Sequence, residues 1–123
     1  MTNKYYAFFD GDGVGNVIEY YLLTGKTENA IGISNSIKKA FKTIENMLNK
    51  IEDITILIIG GEDLLIEIST NNFEMDLINE ICSIFNNETT LTISCGIGRT
   101  IKETIDNLRL AKVSGKNKII KFE

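Results

Sequence analysis

Residues 54–68 read Ile54-Thr55-Ile56-Leu57-Ile58-Ile59-Gly60-Gly61-Glu62-Asp63-Leu64-Leu65-Ile66-Glu67-Ile68. Two runs rich in β-branched residues, Ile54 to Ile59 and Leu64 to Ile68, stand either side of Gly60-Gly61-Glu62-Asp63, which is the spacing of a β-hairpin. Two carboxylates therefore sit where hydrophobic strands end. A turn flanked by strands on both sides belongs to an antiparallel sheet, and the neighbouring segments are read against that requirement.

Upstream, Lys4 to Phe9 is an aromatic and apolar run stopped by Asp10-Gly11-Asp12-Gly13, the pattern of a buried strand entering a glycine-rich turn. Asn16 to Leu23 is predicted as a short helix closed by Gly25. From Ser34 to about Lys50, Ile37, Phe41, Ile44 and Leu48 recur every three or four residues, so one stripe of a helix faces the core with Ser34 or Ser36 as N-cap. Downstream, Phe73 to Phe85 carries the stripe Leu77, Ile78, Ile81 and Phe85, and Thr90 to Ile97 reads as a strand ended by Gly98. Thr100-Ile101-Lys102-Glu103 has the form of a capping box and opens a helix through Ile105, Leu108 and Ala111, ended by Gly115. Ile119 to Phe122 can close the sheet. No linker or repeat interrupts this order, so one domain over residues 1–123 is expected, of the α+β class, with a mainly antiparallel sheet and helices on one face.

Composition narrows the chemistry. The 123 residues include no histidine, proline or tryptophan and only two cysteines, which excludes a Ser-His-Asp triad, a Cys-His nucleophile pair and four-ligand Cys/His zinc sites. Cys82 and Cys95 lie in apolar stretches and read as reduced core thiols. No run approaches the roughly 20 apolar residues of a membrane helix, and Met1-Thr2-Asn3-Lys4 lacks the pattern of a signal peptide, so no membrane association and a cytoplasmic location are expected. The net charge of −4 argues against direct DNA or RNA binding. That charge is unevenly placed: residues 99–123 hold seven Lys/Arg against three Asp/Glu, residues 1–98 six against fourteen. An acidic body with a basic end can hold metal ions and polyphosphate side by side; the plain alternative is a solvated lysine-rich helix face.

Asp10-Gly11-Asp12-Gly13 and Gly60-Gly61-Glu62-Asp63 together offer four carboxylates and several glycine amides at strand ends. Hard oxygen ligands of that kind suit magnesium or manganese, which in turn bridges to substrate phosphates. An EF-hand is not formed, because Val14 stands where a third ligand belongs and Tyr21 where the bidentate Glu belongs. Gly11, Gly13 and Gly15 do not have the dinucleotide-binding spacing. A strand followed by Asp10-Gly11-Asp12-Gly13-Val14 also looks like the first motif of haloacid-dehalogenase-type phosphatases, with Asp10 as nucleophile, but those require a parallel sheet.

The order of four motifs resembles the GGDEF/palm superfamily of diguanylate cyclases and CRISPR polymerase palms, and most of all the minimal CRISPR polymerases, mCpol. The motifs are Phe9-Asp10-Gly11-Asp12, Gly60-Gly61-Glu62-Asp63, Thr92-Ile93-Ser94-Cys95-Gly96-Ile97-Gly98, and Ala111-Lys112 with Gly115-Lys116-Asn117. The sequence departs from the GGDEF cyclases at Leu64, where they have Phe, and in Val17 to Gly25, which does not reproduce their guanine-binding region.

The resemblance implies a ferredoxin-like palm and a metal-dependent nucleotidyltransferase that converts nucleoside triphosphates, ATP first, into a cyclic oligonucleotide, most simply a cyclic dinucleotide. Asp10, Glu62 and Asp63 would be catalytic and, with the Gly11 carbonyl, would hold Mg2+ or Mn2+. The amides of Asp12, Gly13, Val14, Gly15 and Asn16 would receive the triphosphate, with Lys112 and Lys116 on its outer phosphates. Two metals on rigid carboxylates need no histidine base. Ring closure needs two bonds, so a homodimer is implied, as are a role in bacterial anti-phage defence and a downstream effector that reads the product. The alternative is a palm that binds nucleotide without chemistry.

Overall fold

The computed structural model describes residues 4–69 and 73–122; the opening Met1-Thr2-Asn3 of the leader reading lies outside them. The chain runs through β1 (Lys4–Gly11), α1 (Val14–Leu23), α2 (Thr27–Leu48), β2 (Ile54–Gly60), β3 (Asp63–Ser69), α3 (Met75–Thr89), β4 (Ile93–Gly98), α4 (Ile101–Val113) and β5 (Ile119–Lys121). The five strands form one sheet in the order β2-β3-β1-β4-β5. β1 pairs antiparallel with both β3 and β4, and β2 antiparallel with β3; only β5 runs parallel to its neighbour β4. The mainly antiparallel α+β architecture is as expected, and the parallel sheet that an aspartyl phosphatase requires is not formed.

The hairpin closes by pairing Gly60 with Asp63, leaving Gly61 and Glu62 as a two-residue turn. Gly61 has φ +58°, a value glycine adopts without strain. Alternation then sorts each strand. Ala7 and Phe9 of β1, Leu64, Ile66 and Ile68 of β3, and Ile93, Cys95 and Ile97 of β4 point to one side, where Ile37, Phe41 and Ile44 of α2 and Ile78, Ile81 and Phe85 of α3 meet them in a buried core.

The one-face expectation holds for α2 and α3, while α4 lies across the opposite face. There Ser94, Gly96 and Gly98 alternate with the core residues of β4, and a Cβ on Gly96 would stand 2.2 Å from the Leu108 nitrogen and 2.4 Å from the Thr104 carbonyl oxygen. The glycines let the α4 backbone rest on the strand, and every residue of β4 is buried as a result. Gly98 ends the strand as expected from the sequence; the close approach of Gly96 and Gly98 to a helix is visible only in three dimensions.

Several boundaries differ from expectation. α2 begins at Thr27, so Ser34 and Ser36 lie inside it rather than capping it. The added turns bury Ala30 and pack Ile33, which outweighs the roughly 1 kcal/mol cost of Gly32. α1 begins at Val14, two residues early, and α3 extends to Thr89. Thr90, expected to start a strand, has φ 64° at the C-cap of α3, where the Thr89 hydroxyl donates to the Phe85 carbonyl (2.7 Å) and accepts from the Leu91 amide (3.0 Å). Those local bonds outcompete the strand preference of threonine. The α4 cap forms as predicted on one side, with the Glu103 amide donating to Thr100 Oγ1 (3.1 Å); the Glu103 carboxylate reaches back to the Arg99 amide (2.7 Å). Cys82 and Cys95 are both free thiols, Cys95 fully buried. Among the described residues no helix is long and apolar enough to cross a membrane.

The two glycine environments forecast opposite signs. Gly96→Ala should lower the unfolding free energy by about 3 kcal/mol, since the methyl meets backbone that cannot move aside. Gly32→Ala, exposed in α2 with nothing within 4 Å of its Cβ position, should raise it by about 0.5–1 kcal/mol. Urea denaturation of both variants checks the pair.

Candidate functional site

Register places the acidic groups. Asp10 is the last pair of β1 with β3 and stands directly opposite Asp63, both on the α4 side of the sheet. The Gly11 amide then donates to the Glu62 carbonyl (3.1 Å), stitching the end of β1 to the tip of the hairpin. Gly11 has no room for a side chain: a Cβ would lie 2.8 Å from Val14, 3.1 Å from Phe85 and 3.3 Å from Glu62. Two acidic loops 50 residues apart in sequence are thus fastened by backbone.

Asp12 turns inward. Its carboxylate is buried and accepts from Thr92 Oγ1 (2.7 Å), Ser94 Oγ (2.7 Å), Lys112 Nζ (2.8 Å) and the Asn117 amide (2.9 Å). Burial pushes its pKa up, but the bonds from Lys112, Ser94, Thr92 and Asn117 outweigh that and hold it below the usual carboxylate value. Its own amide donates to the Thr92 carbonyl (2.9 Å), so the expected phosphate cradle does not include the Asp12 N–H.

Lys112 also differs from its expected use. Its ammonium donates to the Asp10 carbonyl (3.0 Å), the Gly11 carbonyl (3.0 Å) and Asp12 Oδ1, and lies 3.1 Å from Asp10 Oδ2. Burial works to lower its pKa, yet Asp12 and Asp10 more than offset this and raise it. Three protons serve these oxygens. What Lys112 offers a ligand is its positive charge at the cleft wall, and the Gly11 carbonyl points to this ammonium.

Negative charge accumulates next to it. Asp63 is pushed up to about 7, first by its hydrogen bond with Asp10, then by burial and by the charges of Asp10 and Glu62. Glu62 is raised by burial and by Asp10. Among the described residues no three acidic or thiol side chains converge tightly enough to hold an ion as they stand. The donor set nevertheless fits a hard divalent cation: the oxygens are all carboxylate or carbonyl, and the Lys112 ammonium already stands as a cation on Asp10 and Gly11.

The cleft beside these groups, an open cavity of about 320 Å3, is lined by Asp10, Gly11, Gly13, Val14, Gly15, Asn16, Glu62, Lys112 and Lys116. Gly13, with φ +65°, caps α1 without a side-chain bond, leaving the first-turn amides of the helix directed at the cleft. Of the residues singled out by sequence, only Asp12 and Asp63 are not in this lining. A recess of about 150 Å3, walled by Val14, Ile18, Ser34, Ile37, Lys38, Gly61 and Glu62, adjoins it and shares Val14 and Glu62. Sequence reading missed Thr92, Ser94 and Asn117 as partners of Asp12. The polar alternation Thr92, Ser94 within an apolar strand was the available signal.

Compared with known proteins, the chain matches mCpol, the minimal CRISPR polymerase domain, over residues 6–122. Among curated proteins none matches by sequence. Solved structures share its fold. The Csm1-Csm4 cassette in complex with cA4 is similar with TM-score 0.74 at 20% identity, covering 98% of this chain and 21% of the matched chain. The same cassette in complex with one ATP gives TM-score 0.72 and 22% identity over 95% of this chain and 20% of that one. The diguanylate cyclase SiaD in complex with its activator SiaC, from Pseudomonas aeruginosa, gives 0.56 and 16% over 98% and 50%. The chain spans about a fifth to a half of the length of these neighbours, and what they share with it is the palm.

Lys112 and Lys116 should separate in stability measurements. Lys112→Met leaves the buried Asp12 charge without its counter-ion and should cost about 2 kcal/mol. Lys116→Met, exposed in its turn, should stay within about 0.5 kcal/mol of the parent. Denaturant titrations of the two single variants test the difference.

Proposed function

Because the chain belongs to the minimal CRISPR polymerase family, we propose that it is a metal-dependent nucleotidyl cyclase that joins nucleoside triphosphates, ATP first, into a cyclic oligonucleotide with release of pyrophosphate. The observation that carries this reading is that Asp10, paired across the sheet with Asp63, lines with Glu62 a cleft whose other walls are a helix N-terminus and two lysines. Carboxylates, orphan amides and ammonium groups in that order suit a metal, a polyphosphate and its outer charge.

Asp10, Glu62 and Asp63 would hold Mg2+ or Mn2+. When bound, such an ion activates the attacking hydroxyl, polarises the α-phosphate and stabilises the leaving pyrophosphate. The chain's own groups do the rest. The amides of Val14, Gly15 and Asn16 orient the triphosphate, Lys116 reaches its outer oxygens from an exposed turn, and Lys112 contributes charge from the wall. The adjoining recess, apolar through Val14, Ile18 and Ile37 with Ser34 and Lys38 as polar groups, takes the base. ATP and cA4 are the ligands of the Csm1-Csm4 neighbours, which supports adenine nucleotides as the first substrates to try.

One chain offers one such cleft, and a ring needs at least two phosphodiester bonds, so two chains facing each other complete the reaction. The product would act as a signal for a separate effector in anti-phage defence.

Incubation with each triphosphate and magnesium, with products identified by mass spectrometry, tests the reading; a cyclic oligonucleotide is expected. Asp63→Asn keeps the shape and removes charge, so turnover should fall by orders of magnitude in a protein that remains folded. Undiminished product from that variant would refute the metal role. A palm that only binds would show nucleotide affinity with no product from the parent chain. Product per chain should also rise with protein concentration in the dilute range, and a rate per chain that ignores dilution would refute the facing pair.

A further inference from the structure

Asp12 lies in the same turn as Asp10, yet its surroundings assign it a different task. Oδ1 takes the Ser94 hydroxyl (2.7 Å) and the Lys112 ammonium (2.8 Å), while Oδ2 takes the Thr92 hydroxyl (2.7 Å) and the Asn117 amide (2.9 Å). A carboxylate offers about four lone-pair sites, so this one has nothing left for an ion or a phosphate. It is also 8% exposed and absent from the cleft lining. Direct contact with substrate is excluded by occupancy as much as by burial.

The partners divide into two sets. Thr92, Ser94 and the Asn117 amide are short or backbone donors on the head of β4 and the turn before β5, and they fix where the carboxylate sits. Lys112 is the long, mobile one. A lysine tip has much rotamer freedom to lose when it is held in one place, and Asp12 supplies the shortest of the contacts that hold Lys112. The charge of Asp12 is also the one carboxylate beside Lys112 that a bound metal would not claim, since Asp10 is among the metal's own ligands in the reading above.

We infer that Asp12 is a positioning residue, anchored by Thr92, Ser94 and the Asn117 amide, that holds the Lys112 ammonium at the wall of the cleft where the incoming polyphosphate needs positive charge. The inference rests on the proposed nucleotide reading only for what enters the cleft. The placement of Lys112 by Asp12 is a property of the chain alone. It also explains why an acidic residue can stand beside an anion site: its charge is offset by Lys112 and its oxygens are covered by three further donors, so the group that lines the cleft is the ammonium and not the carboxylate.

The test separates the two layers. In the metal-free protein without nucleotide, acylation of lysines by an N-hydroxysuccinimide ester, read by peptide mass spectrometry, reports how firmly Lys112 is held. Asp12→Asn should raise labelling of Lys112 about fivefold relative to the exposed Lys50 in the same sample, and Ser94→Ala, a milder change that keeps the charge, about twofold. Circular dichroism confirms that each labelled variant is folded, and if Asp12→Asn does not fold, Ser94→Ala carries the measurement. Unchanged Lys112 labelling in the folded variants would overturn the inference whatever the protein's activity. The second layer is a cycle of affinities for a non-hydrolysable ATP analogue with magnesium. Asp12→Asn and Lys112→Ala should each weaken binding about tenfold, and the double variant should be within about twofold of Lys112→Ala, because the two residues act as a unit. Losses that multiply to about a hundredfold would show that Asp12 acts on binding by another route and would also overturn it. If the parent chain binds no nucleotide, the proposed function fails, and the labelling result alone decides whether Asp12 positions Lys112.

Discussion

The register of β1 against β3 is the constraint on which the site depends. Side chains alternate along a strand, so pairing Asp10 with Asp63 puts both carboxylates on the α4 side only because Phe9 and Leu64 are pulled into the core on the other. A slip of one residue would bury two acids among isoleucines and expose Phe9. That error costs several kcal/mol for the charges alone, which makes hydrophobic burial the agent that aims the acidic groups. Gly11 adds a second lock, since its amide reaches the Glu62 carbonyl in a place where no Cβ fits.

Much of this was legible in the chain. Four-residue spacing between Ile59 and Leu64 called for a hairpin, the stripe Ile37, Phe41, Ile44, Leu48 called for a core helix, and Thr100 with Glu103 called for a cap. Each is a local signal with a local cause. What the chain did not show depends on contacts between distant segments. Gly98 looks like no more than a strand end, and Gly96 like any strand residue, until α4 is laid on them. Thr90 looks like a strand residue until the bonds around Thr89 are known. Asp12 looks like a ligand because it stands next to Asp10, and only the arrival of Ser94, Lys112 and Asn117 from more than 80 residues away shows it to be spoken for.

Two carboxylates from adjoining turns consequently have opposite electrostatic lives. Asp12, surrounded by donors, is held ionised, whereas Asp63, hydrogen-bonded to Asp10 and close to Glu62, is pushed up to about 7. A fold that wanted only stability would not leave three acids crowded at the end of a central hairpin, since each repels the others for no gain in packing. Backbone pairing holds the crowded acids in place, and in the proposed reading a divalent cation would offset their charge.

The uneven charge of the sequence follows from the same geometry. The basic end of the chain, α4 and the turn beyond it, packs on the face of the sheet that carries Asp10, Asp12 and Asp63, so its positive groups return to the acids contributed by the first half. Lys112 meets them at hydrogen-bond distance, while Lys116, held at φ 64° in the following turn, remains exposed at the cleft rim. One lysine is thereby held at the cleft wall by the acidic turn, and the other stands exposed at the rim. A metal drawn to Asp10 would compete with Lys112 for the same oxygens, and the Asp12 carboxylate, which no ion can reach, is what keeps that ammonium nearby when it yields them.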